Sequence, residues 1–157
     1  MRPDTEERRL PQHEVGQLAG LDGSDLAVES EAATALAMRL AAAVDRPHDP
    51  HEVALRRIAL PLAKFWVCKR TPMMVAEALE CLGGNGYVEE SGLPLLFRES
   101  PLNSVWEGSG NVNALDVLRA LGREPAALDA WVDEVGRARG GDERLDRMRC
   151  RDRGKRG

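Results

Sequence analysis

The chain has 157 residues, enough for one domain that hides about two-thirds of the surface its unfolded form exposes. Its net charge of -4, with 31% charged and 43% hydrophobic residues, excludes an overall electrostatic pull toward nucleic acid or membrane, so basic character has to be local. The 3 cysteines (Cys68, Cys81, Cys150) have no CxxC spacing, and His13, His48 and His51 form no ligand pattern with them, which points to a reduced, cytoplasmic protein without a metal. No apolar run reaches membrane-spanning length, and the opening MRPDTEERRLPQHEVG contains no signal-peptide core.

Residues 1–25 are polar and broken by Pro3, Pro11, Gly16, Gly20 and Gly23, which predicts a loose arm. From Leu26 to Arg46 an alanine-rich segment places Ala33, Leu36, Leu40, Ala43 and Val44 at helical spacing and stops before Pro47. A second helix has Asp49 as N-cap, Pro50 in the first turn and Glu52 completing a capping box. Its stripe is Leu55, Ile58, Leu62 and Phe65, and Pro61 should kink it before it ends near Lys69. Thr71-Pro72 repeats the cap-then-proline signal and starts a third helix, with Val75, Leu79 and Leu82 inward and Gly83 as its cap.

Residues 87–110 read as irregular because Gly92, Pro94 and Pro101 interrupt them. Asn111 can cap a fourth helix with Val112, Leu115, Leu118 and Leu121 as its apolar face and Gly122 closing it. A fifth runs from Pro125 to about Ala138 on Leu128, Trp131, Val132 and Val135, and Gly140-Gly141 ends it. The fold class is therefore all-α. Phe65, Trp66 and the thiols of Cys68 and Cys81 are expected in the core.

Two stretches interrupt the helical pattern with glycine and polar residues. In Cys81-Leu82-Gly83-Gly84-Asn85-Gly86-Tyr87 the glycines let backbone amides approach a phosphate, or they simply end a helix and turn the chain. In Trp106-Glu107-Gly108-Ser109-Gly110-Asn111 the indole would make the carboxylate's surroundings less polar, as suits a base. Alternatively Ser109 or Asn111 caps the next helix and Glu107 complements its dipole. The residue types leave both pairs of readings open.

Residues 63–121, with LGGNGY, Leu96-Phe97-Arg98 and WEGSGN in that order, resemble the C-terminal helical domain of the flavin-dependent acyl-CoA dehydrogenases. Cys68-Lys69-Arg70, Glu80, Glu89-Glu90-Ser91 and the wording WEGSGN are similar to the alkylation-response, AidB-like branch. The short connections favour an antiparallel bundle, which the resemblance makes the family's four-helix type over residues 26–139, here with an extra C-terminal helix, and the arginine-rich composition of 140–157 reads as a basic, disordered tail. Residues 1–25 look unlike the helix that precedes this domain in the family.

The same resemblance implies FAD as cofactor, an acyl-CoA thioester as substrate and a homo-oligomer in which glycine loops reach a neighbour's FAD. It makes Glu107 the base that removes the thioester α-proton while hydride leaves to FAD, and makes Ser109, Asn111, Gly83, Gly84, Gly86 and Glu80 cofactor contacts. Glu80 stands where most relatives carry Gln, and Ser109 and Asn111 stand where Thr and Gln are usual. Arg98 is expected in an ion pair or a subunit interface, without a catalytic role. The branch is also associated with protecting DNA from alkylation. That makes Arg147, Arg149, Arg151, Arg153, Lys155 and Arg156 candidate phosphate contacts, beside the plainer reading of a solvated end. A non-catalytic partner subunit is the remaining alternative, since the domains that complete the family's flavin site have no counterpart here.

Overall fold

A computed structural model describes residues 23–144 and residue 146, and it is all-α, as expected. Helix α1 spans Gly23–Val44 and α2 spans Pro50–Cys81. A single-turn helix, α3 (Gly84–Tyr87), leads to α4 (Leu93–Glu99), with 3-10 turns at Glu89–Ser91 and Ser100–Ser104. Then come α5 (Gly110–Arg123) and α6 (Pro125–Gly136). The basic residues 147–157 and most of the expected arm lie outside the described residues. Helix α1 is already formed at Gly23, three residues before the expected Leu26.

Asp49 caps α2 as anticipated, its Oδ1 accepting from the amides of His51 (2.9 Å) and Glu52 (3.4 Å). The capping box, however, stays half-made. The Glu52 carboxylate, only 3% exposed, turns inward to accept from Arg39 and Arg46. The expected break at Thr71-Pro72 is also absent, because α2 runs unbroken for 32 residues through Pro61 and Pro72, about 48 Å at 1.5 Å per residue. Each proline deprives one carbonyl a turn back of its partner, and Pro61 itself is buried, so tertiary packing outweighs local propensity. The Thr71 hydroxyl, instead of capping a new helix, donates to the carbonyl of Val67 at 2.7 Å.

Two predicted helices have thus become one, and α6 is a fourth long helix of the domain where an added fifth had been expected. Helix α1 packs antiparallel on α2, with Leu40 against Leu55 and Glu29 paired to Arg70 further along. Helix α5 runs back along α2, from Gly110 beside Phe65 and Lys69 to Ala120 beside Ile58. Helix α6 then carries the chain toward the N-terminal end of α2, where Glu134 meets Arg39.

The core is built largely from alanine. Ala43, Ala59, Ala120, Ala127 and Ala130 let the helices approach closely around Leu55 and Ile58, with Trp131 bridging the two clusters. Every buried residue of α2 falls between Glu52 and Pro61. Several expected stripes therefore face outward. Val112, Leu115, Leu118 and Leu121 are all exposed, as are Leu82, Leu128, Val132 and Val135. Positions three apart drift by about 60° per step on a helix of 3.6 residues per turn, so Val112 and Leu121 end up on opposite sides. The face that packs is Gly110, Asn113, Val117 and Ala120, at spacings of three and four. Phe65 and Cys81 are exposed, and Trp66 and Cys68 are half-buried, so none of these four is a core residue.

Charge networks tie the helices where the apolar core is thin. Arg39 of α1 donates to both oxygens of Glu52 (2.8 and 3.2 Å) and both of Glu134 (2.6 and 2.9 Å). Its hydrogen bonds hold both carboxyls below the ordinary carboxylate value of 4.5, outweighing the opposing effect of burial. Arg57 joins α2 to Asp116 and Glu124 (2.8 to 3.2 Å), and Arg70 pairs with Glu29 while lying 5.1 Å over the Trp66 ring.

Candidate functional site

The two irregular stretches lie at different levels of α2. The WEGSGN segment is held near Lys64 and Lys69, whereas the glycine loop packs on Leu79. Ten residues of helix separate Lys69 from Leu79, about 15 Å. Within one chain they are two sites and not one pocket.

At the α2 end, Glu80 is exposed and Gly83 has a positive φ of 56°, which only glycine adopts without strain. A Cβ at Gly83 or Gly84 would have no atom within 4 Å, so this backbone is open to close approach by a ligand. Gly86 differs. A Cβ there would lie 2.2 Å from the Leu79 carbonyl oxygen, so this glycine exists to let α3 lie against the end of α2. Arg98 donates to both oxygens of Glu89 (2.9 and 3.1 Å), which gives it the ion-pair role expected and braces α4 against the turn that follows α3.

At the other level, Glu107 is exposed and adopts a positive φ of 52°, the only non-glycine residue among those described to do so. A left-handed conformation costs an ordinary residue about 1 kcal/mol or more, so the surrounding structure must hold it. Two side chains do this. Lys64 Nζ donates to the carbonyls of Asn103 (3.0 Å) and Trp106 (2.9 Å), on the chain entering Glu107. Asn113 Nδ2, from the first turns of α5, donates to the carbonyls of Gly108 (2.8 Å) and Ser109 (3.0 Å), on the chain leaving it. Neither residue was anticipated, although the packing-face spacing of Asn113 with Gly110 and Val117 was a usable signal.

The simple capping explanation of this segment does not hold. Ser109 occupies the N-cap position of α5 but makes no side-chain capping bond, and Asn111 lies exposed within the first turn. The first amides of α5 thus receive no capping bond from the Ser109 side chain. Nor do the described residues form the low-polarity setting expected from the indole, because Trp106 is itself 58% exposed. A groove of about 630 Å³ does occur elsewhere, between α2 and the α5–α6 junction. It contains none of these residues, and Arg57, Asp116 and Glu124 on its walls are already paired.

Comparison with known proteins identifies the domain. The sequence profile of the acyl-CoA dehydrogenase C-terminal domain matches residues 8–122, most of the chain, and the chain belongs to that family. The match begins inside the segment expected to differ from the family, so that expectation is corrected. The putative acyl-CoA dehydrogenase AidB of Escherichia coli (strain K12) is 48% identical over 124 residues, 79% of this chain and 23% of the relative, in keeping with the AidB-like branch. Acyl-CoA dehydrogenase family member 11 of Caenorhabditis elegans is 36% identical over 102 residues, 62% of this chain and 16% of the relative.

Two solved structures share the fold. ACDH-11 of Caenorhabditis elegans, in complex with C11-CoA, superposes with a TM-score of 0.70 at 28% identity, covering 90% of this chain and 24% of that one. The apo form of Bd2924 superposes with a TM-score of 0.68 at 26% identity, covering 94% of this chain and 29% of that one. The chain spans less than a quarter of the length of these curated relatives. Among the described residues no helix is long and apolar enough to cross a membrane.

Proposed function

We propose that this chain forms one wall of an FAD-dependent acyl-CoA oxidoreductase site, with Glu107 as the base that removes the α-proton of the thioester. The observation that carries the reading is Glu107 itself, an exposed carboxylate held at φ 52° on a segment clamped from both sides. Strain maintained at an exposed residue with no packing role is characteristic of functional positions. A thioester α-proton is weakly acidic, so its abstraction needs a carboxylate in a water-poor pocket. Because Glu107 is exposed among the described residues, this reading calls for other domains or a neighbouring subunit to supply that enclosure.

The residues fit a dinucleotide in part. The open backbone at Gly83 and Gly84 suits close approach, most naturally by the FAD of a neighbouring subunit in a homo-oligomer, while Ser109, Asn111 and the uncapped start of α5 suit polar groups near the base. Gly86 serves packing, and Glu80 adds an exposed carboxylate beside the glycine loop. FAD, when bound, supplies the acceptor for the β-hydride. Glu107 takes the proton as the Cα–H bond breaks, and the segment around it keeps the carboxylate aimed. The C11-CoA bound to ACDH-11, an acyl-CoA, supports the substrate class.

The test is a chimera in which residues 26–122 replace the matching segment of the butyryl-CoA dehydrogenase of Syntrophomonas wolfei, which is 32% identical over 100 residues. Retained flavin absorbance shows that the chimera has assembled. The reading expects turnover of butyryl-CoA with an artificial acceptor, lost in Glu107→Gln with flavin still bound. Undiminished turnover in that variant would assign the base elsewhere.

A further inference from the structure

The Glu107 segment is held by donors that lie on two different helices, and each grips a different side of the strained residue. The carbonyl of Trp106 belongs to the peptide plane that enters Glu107, and Lys64 of α2 fixes it at 2.9 Å, with a second bond to the carbonyl of Asn103 at 3.0 Å. The carbonyls of Gly108 and Ser109 belong to the planes that follow, and Asn113 of α5 fixes both, at 2.8 and 3.0 Å. The plane entering Glu107 is pinned by Lys64 and the planes on either side of Ser109 by Asn113, so rotation at Glu107 toward negative φ has to be absorbed at the one peptide between them, Glu107–Gly108, or break one of these bonds.

We propose that Lys64 and Asn113 are positioning residues that together impose the left-handed conformation of Glu107 and so set the direction of its carboxylate. The proposal rests on Glu107 being the functional group of this segment. Lys64 suits the task because its ammonium carries three donors and can serve two carbonyls at once, while its stem lies along α2. Asn113 suits it because its amide donates two protons from a nearly buried side chain, 9% exposed, on the packing face of α5. Neither touches a reacting atom. Each contributes by holding the segment against α2 and α5, so the strained residue is pre-organised before any ligand arrives.

The test uses the full chain and needs no flavin, so it fails or succeeds independently of the base assignment. In the NMR spectrum a positive φ gives a strong contact between the amide and α protons of the same residue, and Glu107 should show it. Lys64→Met keeps the aliphatic stem and removes the donors, Asn113→Leu keeps the volume, and Lys64→Arg restores donors. The proposal expects the Glu107 signature to be lost in Lys64→Met and Asn113→Leu and regained in Lys64→Arg. Exchange of the Trp106 amide, which donates to the Leu102 carbonyl beside the Lys64 clamp, should quicken at least tenfold in Lys64→Met, while the amides of Leu55 and Ile58 keep their protection. A signature that persists in both variants overturns the proposal. So does equal loss of protection at Leu55 and Ile58, because the two side chains would then be general supports of the fold.

Discussion

Replacing Arg39 by Met would leave two carboxylates short of their main partner while keeping most of the aliphatic volume. Removing one member of a buried pair costs about 3–5 kcal/mol when the other is stranded. Two features lower that figure here. Arg46 still reaches Glu52 at 3.1 Å, and Glu134 keeps Arg137 at 2.9 Å. We expect a loss of about 2–3 kcal/mol at neutral pH. With a urea slope of about 1.5 kcal/mol/M, the unfolding midpoint should fall by about 1.3–2 M.

The acid side supplies a second check on the same variant. In the native chain both carboxyls are held below 4.5, mainly by hydrogen bonds from Arg39. A depressed folded value means that the contribution is fully present above 4.5 and is lost as pH falls through the folded values. The gap between the native chain and Arg39→Met should therefore narrow steadily below pH 4.5, measured by urea unfolding across the pH series. A gap that stays constant from neutral pH into that range, or a midpoint unchanged at neutral pH, would refute the network's role in joining the three helices.

Glu107→Gly should relieve the left-handed strain and, after the entropy that glycine adds to the unfolded chain, raise stability by about 0.5 kcal/mol; calorimetry showing a clear loss would remove the strain argument. Gly86→Ala should cost about 1–3 kcal/mol, since its Cβ would meet the Leu79 carbonyl oxygen, whereas Gly84→Ala should stay within about 0.5 kcal/mol because nothing lies near it. Equal thermal midpoints for these two variants would contradict the packing assigned to Gly86. Asp49→Ala should lose about 1 kcal/mol from the start of α2, and an unchanged urea midpoint would show that Pro50 and the surrounding packing suffice without the cap.

The helical class, the Asp49 start and the position of Glu107 before a helix were all readable from residue types and spacing. The identity of the longest helix was not. Thr71-Pro72 carries a legitimate start signal, and only the contacts made along α2 show that the helix continues through it. Glu52 shows the same limit, since its spacing from Asp49 fits a capping box but the stronger partners, Arg39 and Arg46, come from α1 and the turn after it. Hydrophobicity misled at α5, where leucine and valine face outward and alanine, glycine and asparagine face in. Lys64 escaped notice for a different reason: backbone carbonyls are its partners, and no side-chain pattern records them.

The confinement of every buried residue of α2 to its first twelve positions divides the helix in function as well as in packing. Amides around Leu55 and Ile58 are expected to exchange with solvent only when the whole domain comes apart, whereas the part from Leu62 onward can fray with far less work. That softer half is the one that carries Lys64, Leu79 and Glu80, and through them both irregular segments. Contacts made on that half would tighten both segments without drawing on the anchor at the other end.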